Sequence, residues 1–101
     1  MGANRVAITL CHTEPFEQEE GVWEDRLIER KVKAQKETIF QKRRDQARVD
    51  GLVLTARFKI RGVMPTDNLD YVKWNGARYK VSSIHQLDYA HDYIIEIGEL
   101  I

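Results

Sequence analysis

Apolar and polar residues alternate with a period of two near both ends of this chain and again in its middle, the period of half-buried β-strands. Near the start, Val6, Ile8 and Leu10 alternate with Ala7, Thr9 and Cys11 and predict the first strand. Residues 12–21 are acidic, contain Pro15 and end in Gly21, which predicts a loop. Apolar character resumes at Val22-Trp23, and over 27–35 Ile28, Val32 and Ala34 can line one strand face. Glu29, Arg30, Lys31 and Lys33 suit a helix too, but so thin an apolar stripe cannot dock one, and a strand is expected. Residues 37–48 hold good helix formers, with Thr38 as the expected start and Gly51 just past the end.

The clearest alternation covers 52–61. Leu52, Leu54, Ala56, Phe58 and Ile60 face one way, and Thr55, Arg57, Lys59 and Arg61 the other. A connection over 62–68 contains Pro65 and Asp67. Then Asn75-Gly76 separates two strand-like runs, 71–74 and 77–84, and specifies a two-residue type I′ hairpin, because both residues tolerate positive φ. The alternation slips near Ser82-Ser83, which predicts a bulge. A polar stretch, 87–92, precedes a last strand over 93–100. About six strands with at most one short helix predict one mainly β domain over residues 1–101, an antiparallel sheet curled into a small barrel or sandwich.

Sixteen basic and sixteen acidic residues cancel over the 101 positions, which argues against a dedicated nucleic-acid binder. The cancellation hides segregation. Residues 1–25 carry one basic and six acidic groups, whereas 26–48 carry nine basic and three acidic ones. Such blocks favour head-to-tail contacts between copies or contacts with an oppositely charged partner; their bland alternative is a pair of solvated faces. One cysteine excludes an internal disulfide framework. No apolar run reaches the roughly 20 residues of a membrane span, and no secretory h-region follows Met1–Arg5. A soluble domain is expected, stabilised by packing alone and at this size only marginally.

Candidate chemistry is sparse. Cys11 and His12 are adjacent, so on a strand they face opposite sides, and Cys11 reads as a small buried hydrophobe. His85, Asp88, His91 and Asp92 cluster near one turn, but their spacing fits no metal motif, and no metal or other cofactor is expected. Glu17, Glu19 and Glu20 sit on a segment too loose to hold a carboxylate pair. With no phosphate loop either, an enzyme is not expected. Trp23, Tyr71, Trp74, Tyr79, Tyr89 and Tyr93 read mostly as core and cross-strand pairs. The strongest binding candidates are Lys42, Arg43, Arg44 and Arg48, which can meet phosphates or carboxylates; on a helix Arg44 and Arg48 share a face. The segment 38–50 that carries them is expected to be mobile until a partner orders it, the alternative being a helix packed on the barrel by Ile39, Phe40 and Ala47.

The order of these features resembles the small head–tail connector proteins of long-tailed bacteriophages and prophages, the head-closure or stopper family. An N-terminal strand and an acidic segment lead to Gly21-Val22-Trp23, and after a strand and a variable polar segment comes the hairpin Tyr71-Val72-Lys73-Trp74-Asn75-Gly76-Ala77-Arg78-Tyr79-Lys80-Val81. The resemblance implies a non-enzymatic neck protein of the virion, assembled in the host bacterial cytoplasm. It implies a ring that closes the DNA-filled head, with portal or adaptor proteins on one side and tail-completion or tail-tube proteins on the other. It also implies self-association on assembly and non-specific contact with packaged DNA, with no membrane involved. Before assembly, a monomer or small oligomer is expected. The alternative is a small β-barrel binding module for nucleic acid or protein.

Overall fold

The computed structural model describes residues 5–62, 68–87 and 91–101. Along the chain run β1 (Arg5–Glu19), β2 (Val22–Glu37), α1 (Gln41–Val49), β3 (Ala56–Arg61), β4 (Tyr71–Trp74), β5 (Ala77–Gln86) and β6 (Asp92–Leu100). Every pairing is antiparallel, and the strands close in the order β1-β2-β3-β6-β5-β4. The fold is therefore mainly β, a closed six-stranded barrel with one short helix.

Alternation fills the interior. Ile8 and Leu10 of β1, Ala34 of β2, Ala56, Phe58 and Ile60 of β3, Val72 of β4, and Tyr93, Ile95 and Ile97 of β6 form one buried cluster. Phe58 and Trp74 meet edge to face with ring centroids 5.3 Å apart, and Tyr79 continues the aromatic row at 6.0 Å from Trp74. Lys36 lies over the Trp74 ring at 5.3 Å, covering its apolar face while the ammonium keeps access to water.

β6 is buried on both faces from Asp92 to Gly98. Its outer residues are covered by α1 and by the stretch after it. That stretch leaves the strand expected over 52–61, and only Ala56–Arg61 joins the ladder. Residues 52–55 cross the outside of the barrel instead, where Thr55 Oγ1 donates to the Gly98 carbonyl at 2.6 Å and Ser82 Oγ donates to the Val53 carbonyl at 3.0 Å. Gly98 permits this crossing, since a Cβ there would stand 2.7 Å from the Val53 carbonyl oxygen and collide with Ser82 Oγ.

The largest departure from expectation is the acidic segment 12–21. It is a strand, not a loop. β1 and β2 stay paired from Arg5↔Gln35 to Glu19↔Val22, with one irregularity between Glu17 and Glu19. β1 contacts β4 only at Thr9–Cys11, and β2 contacts β3 only at Gln35–Glu37. From His12↔Ile28 outward the pair is a free two-stranded finger, on the order of 25 Å long at about 3.3 Å per residue. It accounts for overall extents of 52 × 32 × 29 Å. Arg26 stacks over the Phe16 ring at 4.2 Å, and Gln18 donates to Glu24 across the pair. Among the described residues no strand pairs with either finger edge, so Pro15 is tolerated, and Gly21 makes the reversal with φ of 81°.

The 71–81 hairpin forms as expected. Trp74↔Ala77 closes it, and Asn75 and Gly76 have φ of 52° and 75°. Register shifts follow in β5 between Tyr79 and Val81 and between Val81 and Ser83, matching the expected bulge. Pro65, Asp67, Asp88 and Tyr89 lie outside the described residues.

Gly76→Val places a β-branched side chain at positive φ and costs about 1–2 kcal/mol, a fall of roughly 5–15 °C in Tm for a chain this size. Thermal denaturation followed by circular dichroism measures it, and an unchanged Tm would show that the turn needs no left-handed residue there.

Candidate functional site

α1 is short and lacks a side-chain N-cap: Phe40 takes that place with extended backbone, and Thr38, the expected start, lies before it. What fixes the helix is its C-terminus and one ion pair. Leu52 N–H donates to the Ala47 carbonyl at 2.8 Å and Gly51 N–H to the Arg48 carbonyl at 3.1 Å. With Gly51 at φ 74° this is a Schellman ending. Gln41–Asp45 and Gln46–Asp50 side-chain hydrogen bonds, four residues apart, add support. Ile39 and Ala47 are buried, whereas Phe40 is 74% exposed.

The ion pair is formed by Arg43. Its guanidinium clasps Glu96 of β6 in two hydrogen bonds, Nη2 to Oε1 at 2.7 Å and Nε to Oε2 at 3.2 Å. Ser83 Oγ donates to Oε1 at 2.7 Å, and Arg57 Nη1 reaches Oε2 at 3.4 Å. Glu96 is 1% exposed. Burial pushes its carboxyl pKa up, but the hydrogen bonds from Arg43 and Ser83 and the charges of Arg43 and Arg57 outweigh burial and bring it to about 2. Of the two readings of 38–50, the structure shows the packed one over residues 41–49, with Phe40 outside the contact. The segment is a helix seated on the barrel by Ile39, Ala47 and Arg43, because a buried carboxylate needs a partner and the helix supplies it.

Of the four basic candidates, Arg43 is thus turned inward as a structural clasp, half-buried on Glu96. Lys42, Arg44 and Arg48 are exposed and form no ion pair among the described residues. Arg44 and Arg48 border a shallow cavity of about 260 Å³ together with Leu52 and Leu54. The helix therefore offers three cations to a partner, beside Leu52 and Leu54 of the stretch that follows it, with its fourth cation already engaged.

Cys11 and His12 do face opposite ways. Cys11 is fully buried on the outer wall, where burial and nearby Glu29 push its thiol pKa up. A Lys73–Glu29 ion pair of 2.7 Å spans β1 from β4 to β2 beside it. His12 lies 3.5 Å from Glu14. His85 is exposed, and Asp92 approaches Lys59 at 3.8 Å. Among the described residues, no three His, Cys, Asp or Glu side chains gather as a metal-type cluster. Trp74, Tyr79 and Tyr93 serve the core as expected and Tyr71 packs under Arg78 at 5.7 Å, but Trp23 is 61% exposed on the finger.

The fold gathers charge into two surfaces, the first of them built from the acidic block already legible in the sequence. The finger carries Glu14, Glu17, Glu19, Glu20, Glu24 and Asp25, all exposed, beside Trp23. Where β2 and β3 separate beyond Gln35↔Lys59, a cleft of about 270 Å³ opens between Arg5, Lys33, Lys59 and Arg61. Glu96 escaped the pattern reading, and its signal was a lone acid between Ile95 and Ile97 in an otherwise apolar run. No family model, curated protein or solved structure matches this chain.

Glu96 ionises more readily in the folded protein than in the unfolded chain. Its contribution to stability, on the order of 3 kcal/mol, is complete above about pH 5 and drains away as pH falls toward 2. Acid denaturation monitored by tryptophan fluorescence should show this slope, and Glu96→Gln should flatten it. Arg43→Gln should cost about 3 kcal/mol by stranding the carboxylate, whereas Arg44→Gln should stay within about 0.5 kcal/mol. Equal effects of the two arginine changes would remove the clasp.

Proposed function

We propose that this protein is a structural subunit of a phage neck, one of several copies forming a ring that closes the DNA-filled head and presents a docking surface to the tail. The observation that carries this reading is the shape of the subunit: a small closed barrel with a finger far longer than its core requires. A barrel that acts alone gains little from a projecting acidic ladder, and a repeated building block gains a reach to its neighbour. The order of segments along the chain, from the acidic strand through Gly21-Val22-Trp23 to the Tyr71–Val81 hairpin, supports the same reading through its resemblance to head-closure proteins.

In such a ring the barrel is a rigid brick. Its hydrogen-bonded wall resists deformation, and α1 is held to that wall by the Arg43–Glu96 clasp. Lys42, Arg44 and Arg48 on the exposed side of α1 then meet carboxylates of the portal, adaptor or tail-completion ring, or phosphates of the packaged DNA. Such contacts need no base readout, because what is retained is DNA of any sequence.

A Lys42→Glu, Arg44→Glu, Arg48→Glu variant should fold normally, since none of the three side chains holds the barrel together. In phage production it should yield heads that package DNA and then lose it. Nuclease protection of the packaged genome is the measurement, and full protection with the variant would exclude α1 from the closure surface.

A further inference from the structure

The two unabsorbed charge surfaces sit at opposite ends of the same ladder. Glu17, Glu19, Glu20 and Asp25 at the finger tip are exposed, and among the described residues none of them forms an ion pair. The cleft between β2 and β3 concentrates Arg5, Lys33, Lys59 and Arg61, of which, among the described residues, only Lys59 has an acidic partner, Asp92 at 3.8 Å. From Val22 to Ala34 the chain runs as one continuous strand of the ladder, a separation on the order of 40 Å at about 3.3 Å per residue. A paired ladder cannot fold back on itself, so a copy cannot satisfy its own tip with its own cleft.

We infer that the acidic finger tip of one copy docks into the basic cleft of the next, joining copies head to tail. This rests on the ring reading above and names the contact that builds the ring. The occupant is a second copy because both halves of the match lie on this chain: a tip of four carboxylates with no ion pair among the described residues and a cleft of four cations. Trp23, 61% exposed beside the tip carboxylates, adds an aromatic face on which a cleft guanidinium can stack. The contact joins two different patches, so it is heterologous. It closes into a ring when the rotation between copies divides a full turn, and it otherwise runs on as a filament. Exposed ion pairs are individually weak and screened by salt, so free copies associate weakly and the contact matures where a neighbouring ring gathers them.

Cross-linking of purified full-length protein tests this directly. A chain carrying both Glu20→Cys and Lys33→Cys, treated with a short bis-maleimide in low salt, should give a ladder of covalent multimers. Each single-cysteine chain should give no ladder, because the tip–cleft contact then carries a cysteine on one side only, and Cys11 is buried and should stay unmodified. High salt should abolish the ladder. In this double-cysteine background, a basic-tip form (Glu17→Lys, Glu19→Lys) and an acidic-cleft form (Arg5→Glu, Arg61→Glu) should each lose the ladder alone and regain it when mixed. Circular dichroism melts check that each variant is folded. No ladder from the folded double-cysteine chain, or no recovery on mixing folded variants, would overturn the contact. A ladder from protein whose absence leaves heads closed would keep the contact and overturn the neck reading. Leaking heads without a ladder would do the reverse.

Discussion

Burying the Glu96 carboxylate commits the outside of this barrel to one arrangement. A carboxylate with 1% exposure in the most buried strand must be matched by donors or be protonated. The chain brings those donors from three directions: Ser83 from β5, Arg57 from β3 and Arg43 from α1. With only Ile39 and Ala47 as buried apolar anchors, a nine-residue helix has little else to hold it in place. Arg43 therefore decides where α1 sits, and so which way Lys42, Arg44 and Arg48 point. One internal ion pair sets the orientation of the outward-facing cations.

The second constraint is that barrel closure uses only a fraction of the β1–β2 hairpin. Three residue pairs join β1 to β4 and three join β2 to β3. The ladder beyond His12↔Ile28 projects as the finger, and where β2 parts from β3 the wall opens into the basic cleft. Finger and cleft are thus two consequences of one feature, a hairpin longer than the barrel it belongs to. The six carboxylates of the finger and the four cations of the cleft are opposite in sign, within a chain whose formal net charge is zero. Such a balance fits a subunit that neutralises itself only in company, which is the physical basis for reading the protein as a ring component.

What the residue pattern revealed follows from which forces act locally. Asn75-Gly76 was legible because positive φ is a property of those two residues alone. Val6–Cys11 and Ala56–Arg61 were legible because a barrel wall has one apolar face, which writes itself as alternation. The finger has no core to face, so its strands carry no such alternation, and acid-rich residues with Pro15 looked like a loop. The pairing of Phe16 with Arg26 and of Gln18 with Glu24 holds it instead, and cross-strand pairs are invisible until the register is known. The strand expected to begin at Leu52 starts at Ala56, because Gly98, some forty residues later, lets 52–55 cross the barrel wall. Arg43 looked like its neighbours Lys42 and Arg44, since nothing in a run of basic residues says which one will find a buried acid.

The central claim is that this chain works as a repeated subunit of a virion neck. Averaged electron cryo-microscopy of the neck region in intact particles tests it most directly. The account predicts a ring of six-stranded barrels between the head vertex and the tail, each finger lying against the adjacent barrel and each α1 facing a neighbouring ring or the channel. Particles with closed, DNA-filled heads and attached tails whose neck contains no density for this barrel would contradict it.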